Sequence, residues 1–495
     1  MPSSHQPVLS KSTFLMGRQC SKLVWFRYNA KDQIPAPDEA QQAVFDQGTK
    51  VGELAHQLFP GGMVVATGII NPQEVIAQTQ DVIRKRQPLY EAAFSYYGGY
   101  ARVDILVPVA GNTWDLVEVK SSTGLKEEVH LPDIAFQAFV LTGAGIKLRK
   151  CFLAHINGEF VRHGPIDSQK FFTIEDVTKP VSALSRDIEE QIEAMQRVIG
   201  AKSHPKIQIG PHCDSPYTCP LHDRCWSFLP KANVFTLYRG GAKSFTLLQR
   251  GIQKLADIPA DVTLTDNQAI QRAVLLAGQP HIDRPALAAF LSQLKYPVSY
   301  LDFETIGTAI PLFDGVKPYQ QIPFQYSLHV VRSPNAKPEH LHFLAEGTAD
   351  PRPEFMRQLR DQLPPTGSVV TYNASFENSR LNENCELLPE FKPWLRKVTP
   401  RVVDLLVPFR GFRYHHPDQN GSNSMKAVLP ALTGTGYEQL VIQEGGAASR
   451  EFLRVTFGQV PDAERRRVRR ALEEYCALDT LGMVQIVHEI KRLTA

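Results

Sequence analysis

The stretch RVDILVPVAGNTWDLVEVKSS, residues 102–122, alternates apolar and polar positions with the period of two that marks half-buried strands, and it reads as two strands with a turn between them. Helical patterns surround this hairpin as far as about residue 230, where FLPKANVFTLYRGGAKSF brings proline and glycine punctuation. LLQRGIQKLADIPADVTLT and DRPALAAFLSQL then predict short helices separated by polar turns. A second strand-rich region opens at YPVSYLDFETIGTAIPLFD and runs through FQYSLHVVRS and GSVVTYNASFENSRL. It closes on the helical ERRRVRRALEEYCALDTLGMVQIVHEIKRL. The expected organisation is a multidomain α/β chain: residues 1–232, a small helical connector at 233–295, and residues 296–495. No internal repeat links the two large regions.

Length agrees, because 495 residues exceed what one ordinary core organises. With 43% hydrophobic and 21% charged residues the chain is expected to fold rather than to be disordered. A net charge of +3 leaves nucleic-acid affinity to local patches. No apolar run approaches the ~20 residues of a spanning helix, and MPSSHQPVLSKSTFLMGRQC lacks a secretory apolar core, so a cytoplasmic protein without membrane contact is expected.

Chemistry enters at the hairpin. Strand alternation points Glu118 and Lys120 to the same face, where together with Asp104 they can hold a divalent metal and position a water. An E-x-K on a strand is more often a solvated surface pair. Here, though, Asp104, thirteen residues and Glu118-x-Lys120 resemble the signature of the PD-(D/E)XK nucleases. VGELAHQLF resembles the N-terminal motif of the RecB-like branch, and Gln137 in IAFQAFVL sits where that branch carries a helical glutamine. The resemblance implies a restriction-endonuclease-like fold, catalytic Asp104, Glu118, Lys120 and Gln137, and His56 as an added metal ligand.

Seven cysteines are too few for a disulfide scaffold, but three crowd into HCDSPYTCPLHDRCW as Cys213, Cys219 and Cys225. With Cys20 they make four thiolates able to bind one cluster or metal. This arrangement resembles the iron-sulfur staple of the RecB-like nucleases of CRISPR adaptation and of AddB-type helicase-nucleases, which implies a [4Fe-4S] cluster. Zinc is the alternative, since His212 and His222 lie in the same stretch. Cys151, Cys385 and Cys476 read as small buried side chains.

In the C-terminal region, YLDFET places Asp302 and Glu304 on one strand face as a paired metal ligand. Asn373 and Glu377 share a helix face, as do Tyr475 and Asp479. In this order they resemble the three motifs of the DEDD exonucleases, tyrosine subclass, with Glu377 where aspartate is usual. That resemblance implies a ribonuclease H-like fold, Mg²⁺ or Mn²⁺ held by Asp302, Glu304, Asp479 and Glu377, and Tyr475 orienting a water. RVVDLLVPFR and GSNSMKAVLPAL resemble that superfamily's intermediate strand and helix.

The arginines of 465–470 read either as a solvated helix face or as a phosphate grip. The connector faintly resembles a helix-hairpin-helix, with packing helices as the plainer account. Taken whole, the chain resembles a bacterial RecB-like nuclease fused to a domain of unknown function. The expectation is a metal-dependent nuclease acting on DNA, single-stranded ends in particular, in repair, recombination or defence, its C-terminal centre a 3′-to-5′ exonuclease. A nucleic-acid-binding scaffold with degenerate nuclease folds and an RNA-processing exonuclease are the rivals.

Overall fold

The computed structural model describes residues 7–65 and 71–495 of a mixed α/β chain that forms two compact units. The first comprises the chain up to Phe228 together with Thr308–Tyr319; the second comprises Leu229–Gly307 and Gln320–Ala495. The 233–295 segment, expected as a connector, therefore belongs to the second unit. It brings three helices, Ala242–Gln249, Asp266–Ala277 and Arg284–Leu291, and a small core around Val234, Leu237, Leu247, Leu255 and Ile258. Segment 308–319 belongs with the first: Arg162 N–H donates to Val316 O at 3.1 Å, and Ala309 N–H to Gln47 Oε1 at 2.9 Å. Among the described residues, no helix is long and apolar enough to cross a membrane.

The first unit is built on one sheet flanked by helices α1 (Lys11–Gln19), α2 (Ser21–Asn29) and α3 (Glu39–Ala55). Its main strands are β1 (Leu89–Tyr96), β2 (Gly99–Val109), β3 (Thr113–Lys120), β4 (Leu148–Ile156) and β5 (Phe172–Asp176), side by side in that order. β1, β2 and β3 run antiparallel, as do β4 and β5. β3 and β4 pair in parallel, joined by helix α4 (Glu127–Gly143), as a parallel pair requires. The predicted hairpin is β2–β3. Its turn sets Gly111 and Asn112 at φ of +71° and +57°, a left-handed pair that glycine and asparagine adopt at low cost.

Both faces of this sheet are covered. Leu116, Val103 and Leu106 pack with Phe14 of α1 and Phe136 of α4, whose rings stack at 4.6 Å. Ile105, Val117 and Val119 pack on the other side with Val51 and Ala55 of α3 and with Ala309. α4 is buried on nearly every face. It sits close because β2 begins with glycine: a Cβ at Gly99 would lie 2.8 Å from Val140 Cγ2.

The second unit centres on strands β6 (Val298–Ile306), β7 (Ile322–Val331), β8 (Glu339–Leu344), β9 (Val369–Thr371) and β10 (Val402–Asp404), ordered β8-β7-β6-β9-β10. β7 is antiparallel to β6 and β8, whereas β6, β9 and β10 are mutually parallel. Every residue of β7 is buried, as a central strand covered on both faces demands. Around the sheet lie α5 (Ala374–Leu387), α6 (Met425–Thr433), α7 (Gly445–Phe457) and the 33-residue α8 (Asp462–Thr494). α7 and α8 pack on β6, and α8 brings Asp479 and Cys476 to its carboxylates.

Candidate functional site

In the first unit, β2, β3 and α4 converge on one polar cluster inside an otherwise apolar sandwich. Glu118 is 0% exposed, and charge in such a place must be paired. Lys120 Nζ lies 2.6 Å from Glu118 Oε1 and 2.6 Å from Asp133 Oδ2. Gln137 Nε2 donates to Glu118 Oε2 at 2.7 Å and to Asp133 Oδ1 at 3.0 Å. Lys11, from the first turn of α1, places Nζ 3.0 Å from Glu118 Oε1 and 3.4 Å from Asp104 Oδ1. The other Asp104 oxygen accepts from Val119 N–H at 2.8 Å. Burial alone would raise the Glu118 carboxyl, but Lys11 and then Lys120 outweigh it and hold it well below the usual range. Asp104 is pushed up to about 7, first by burial and then by the charge of Glu118.

The structure thus brings Asp104, Glu118, Lys120 and Gln137 together, and adds Lys11 and Asp133, which the sequence reading did not single out. Asp133 had a readable signal, its i,i+4 spacing from Gln137. Lys11 had none, being 107 residues from Glu118. His56 stands elsewhere. Its ring stacks on Tyr90 at 4.0 Å, and Tyr90 belongs to the core on the opposite side of the sheet from Leu116, the neighbour of Glu118 two positions back. Burial lowers the His56 pKa, and the carboxylates acting on it are Glu91 and Glu53.

Cys20 at the start of α2 and Cys213, Cys219 and Cys225 from the end of the unit all line one small cavity, together with His212 and His222. None is in a disulfide. Burial first, and then the other three thiols, raise the Cys219 thiol to about 11. His212 Nε2 lies 3.8 Å from Cys213 Sγ, and the His222 ring stacks on Trp226.

In the second unit the strand pair Asp302 and Glu304 meets Asp479 and Tyr475 from α8 and Glu377 from α5. Asp302 is raised well above the carboxylate range by burial, then by Asp479, Glu304 and Glu377 in turn. Glu304 rises to about 8, through burial and then Asp479. Glu377 also rises to about 8, through burial and then Asp404; it is 3% exposed, and its Oε2 has no hydrogen-bond partner. Asp479 rises to about 6 by burial, and Tyr437 Oη donates to its Oδ1 at 2.5 Å. Lys426 Nζ lies 5.8 Å from the centre of the Tyr437 ring and 5.7 Å from that of Tyr475, and it lowers both Glu304 and Asp479. Burial first, and then these carboxylates, raise the Tyr475 phenol.

Four carboxylates, three of them buried, thus share a site with one ammonium, whereas the three of the first unit face two. An excess of buried negative charge favours a divalent cation, and all four donors are the hard oxygens such ions prefer. Sequence reasoning found Asp302, Glu304, Glu377, Tyr475 and Asp479 and missed Lys426, Tyr437 and Cys476. Lys426 stood inside a quoted motif, and Cys476 had been read as packing. Of the arginines at 465–470, Arg465 donates to Val455 O at 3.0 Å and Arg469 to Ala345 O at 2.7 Å. Arg466, Arg467 and Arg470 are exposed.

Residues 299–424, spanning β6 through the residue before α6, match the family model described as Domain of unknown function (DUF2779). The chain is 28% identical over 226 residues to the uncharacterized protein MG366 of Mycoplasma genitalium, covering 41% of this chain and 33% of that protein. It is 24% identical over 230 residues to the uncharacterized protein UU173 of Ureaplasma parvum, covering 42% and 33%. The chain therefore spans about a third of the length of these curated relatives. The crystal structure of SSO0001 aligns with 46% of this chain and 89% of its own length at 12% identity and a TM-score of 0.21, too loose a likeness to carry an argument.

Proposed function

We propose that the chain is a metal-dependent nuclease that hydrolyses DNA, with single-stranded ends as the preferred substrate. The observation that carries this reading is the convergence of Asp302, Glu304, Glu377 and Asp479 on one site whose carboxyls are all raised by burial and, for Asp302 and Glu304, by other members of the set. Divalent ions bound there would supply charge stabilisation for the attacking and leaving oxygens of a phosphodiester. Tyr475, adjoining these carboxylates, would orient the attacking water. Lys426, between two aromatic rings, would meet the negative charge of the phosphate. The 3-2-1-4-5 strand order, with the second strand antiparallel, supports a ribonuclease H-like reading of this unit.

The hairpin cluster supports a second, PD-(D/E)XK-like centre. In it Glu118 and Asp104 would hold a metal, Gln137 fixes the Glu118 carboxylate, and Lys120 remains the ammonium nearest the reaction. The shared cavity of Cys20, Cys213, Cys219 and Cys225 supplies four thiolates without recruiting His212 or His222, which supports an iron-sulfur cluster ahead of zinc. Its part would be structural, tying the start of the unit to its end.

The test is incubation of single-stranded DNA, and of RNA of the same sequence, with the purified chain and Mg²⁺ or Mn²⁺. Metal-dependent shortening of the DNA is expected. Binding of both polymers without shortening either would replace the enzyme by a scaffold, and shortening of RNA alone would make it an RNA exonuclease reading the 2′-hydroxyl.

A further inference from the structure

Cys476 is 0% exposed and sits at i+1 from Tyr475 and i−3 from Asp479 on α8, so it shares a helix face with Asp479. A buried cysteine ordinarily fills space among apolar atoms. This one does not: its Sγ lies 4.0 Å from Oδ2 and 4.0 Å from the main-chain oxygen of Asp302. One donor atom each from Asp302, Glu304 and Cys476 all fall within 4.8 Å of one another, the only such trio among the described residues. Glu377, another carboxylate acting on Asp302, has a buried oxygen with no partner.

We propose that Cys476 is a sulfur ligand of this centre and sets its metal preference toward thiophilic divalent ions. Metal–sulfur bonds of about 2.3 Å and metal–oxygen bonds of about 2.0–2.2 Å fit three donors at this mutual distance. Carboxylates alone suit Mg²⁺, Ca²⁺ and Mn²⁺, whereas a thiolate draws softer ions such as Zn²⁺, Cd²⁺ and Co²⁺. On ligation the thiol gives its proton to solvent and the sulfur lone pair to the ion, with no change of oxidation state. Mg²⁺ then meets a site with one mismatched donor, while Zn²⁺ or Cd²⁺ binds tightly in a geometry unsuited to in-line displacement. The centre becomes an enzyme that Mn²⁺ supports best and Zn²⁺ inhibits.

This inference rests on the reading of the carboxylates as a metal centre, and the experiment separates the two. Full-length protein with its four-cysteine site as isolated is treated with chelator and titrated with Co²⁺, comparing wild type, Cys476→Ser, Cys476→Ala and Asp302→Asn. Because the four other thiols can also take Co²⁺, the readout is the difference between proteins that all retain them. The expected result is a near-ultraviolet thiolate-to-cobalt charge-transfer component present in wild type and lost in both Cys476 variants. Those variants still bind Co²⁺ through oxygen, and their preference for Cd²⁺ over Mg²⁺ in competition falls. Matching thermal unfolding of the near-isosteric Cys476→Ser excludes a folding defect. If both Cys476 variants keep the wild-type spectrum while Asp302→Asn loses one Co²⁺, the sulfur ligand is overturned and the metal centre stands. If Asp302→Asn binds as much Co²⁺ as wild type, the metal centre falls and the proposal with it.

Discussion

At the residue scale the two clusters differ in how their charge is balanced. Glu118 and Asp133 are buried beside Lys120, so truncating the lysine removes the ion pair of Asp133 and leaves Glu118 only that with Lys11. Lys120→Ala is expected to destabilise the first unit by about 3–5 kcal/mol in denaturant titrations, and a loss under about 1 kcal/mol would mean that solvent reaches the pair. In the second unit four carboxylates share one lysine, Lys426, which acts on Glu304 and Asp479. Glu304 and Glu377 titrate near 8 and Asp479 near 6 in the folded chain, above their ordinary values, so the folded state holds more protons than the unfolded one across that interval. The metal-free protein should therefore lose stability as pH rises from about 4 to 8. Thermal unfolding with chelator present checks this: Glu304→Gln should flatten the decline, and Mn²⁺ should reverse it. The metal-type spacings Asp302-x-Glu304 and Tyr475-x-x-x-Asp479 were legible because strand and helix periods fix which side chains share a face. Lys426, Tyr437 and Lys11 were not, because only tertiary packing brings them to their sites.

At the element scale, regular patterns were read well and long-range ones poorly. The hairpin β2–β3 follows from its alternation, and the closing helix α8 from its unbroken 3.6-residue period and lack of proline. The segment 308–319 joins the first unit through backbone bonds to Arg162, which no local pattern announces. The small helices of 233–295 have an apolar core of their own and group with the second unit. His56 follows the last residue of α3 and stacks on Tyr90, on the other side of the sheet from Leu116. The cysteine cavity couples α2 to the end of its unit, and this gives a test by element. Cys20→Ser should lower bound metal and the unfolding temperature together, while Cys151→Ser, outside the cavity, should alter neither the metal content nor the visible absorption spectrum. Equal metal content in Cys20→Ser and wild type would remove Cys20 from the ligand set.

For the whole molecule, a balanced net charge hides a local imbalance: one carboxylate cluster neutralised by two lysines, and another left negative around a single one. Hydrolysis is proposed at both, with 3′-to-5′ polarity at the second. The decisive measurement is degradation of single-stranded DNA labelled separately at its 5′ and 3′ ends, with Mn²⁺, by wild type, Glu118→Gln, Asp302→Asn and the double variant. The expected result is that Asp302→Asn loses stepwise shortening from the 3′ end, that Glu118→Gln loses a different set of products, and that the double variant is inactive. Undiminished 3′-to-5′ shortening by Asp302→Asn would contradict it.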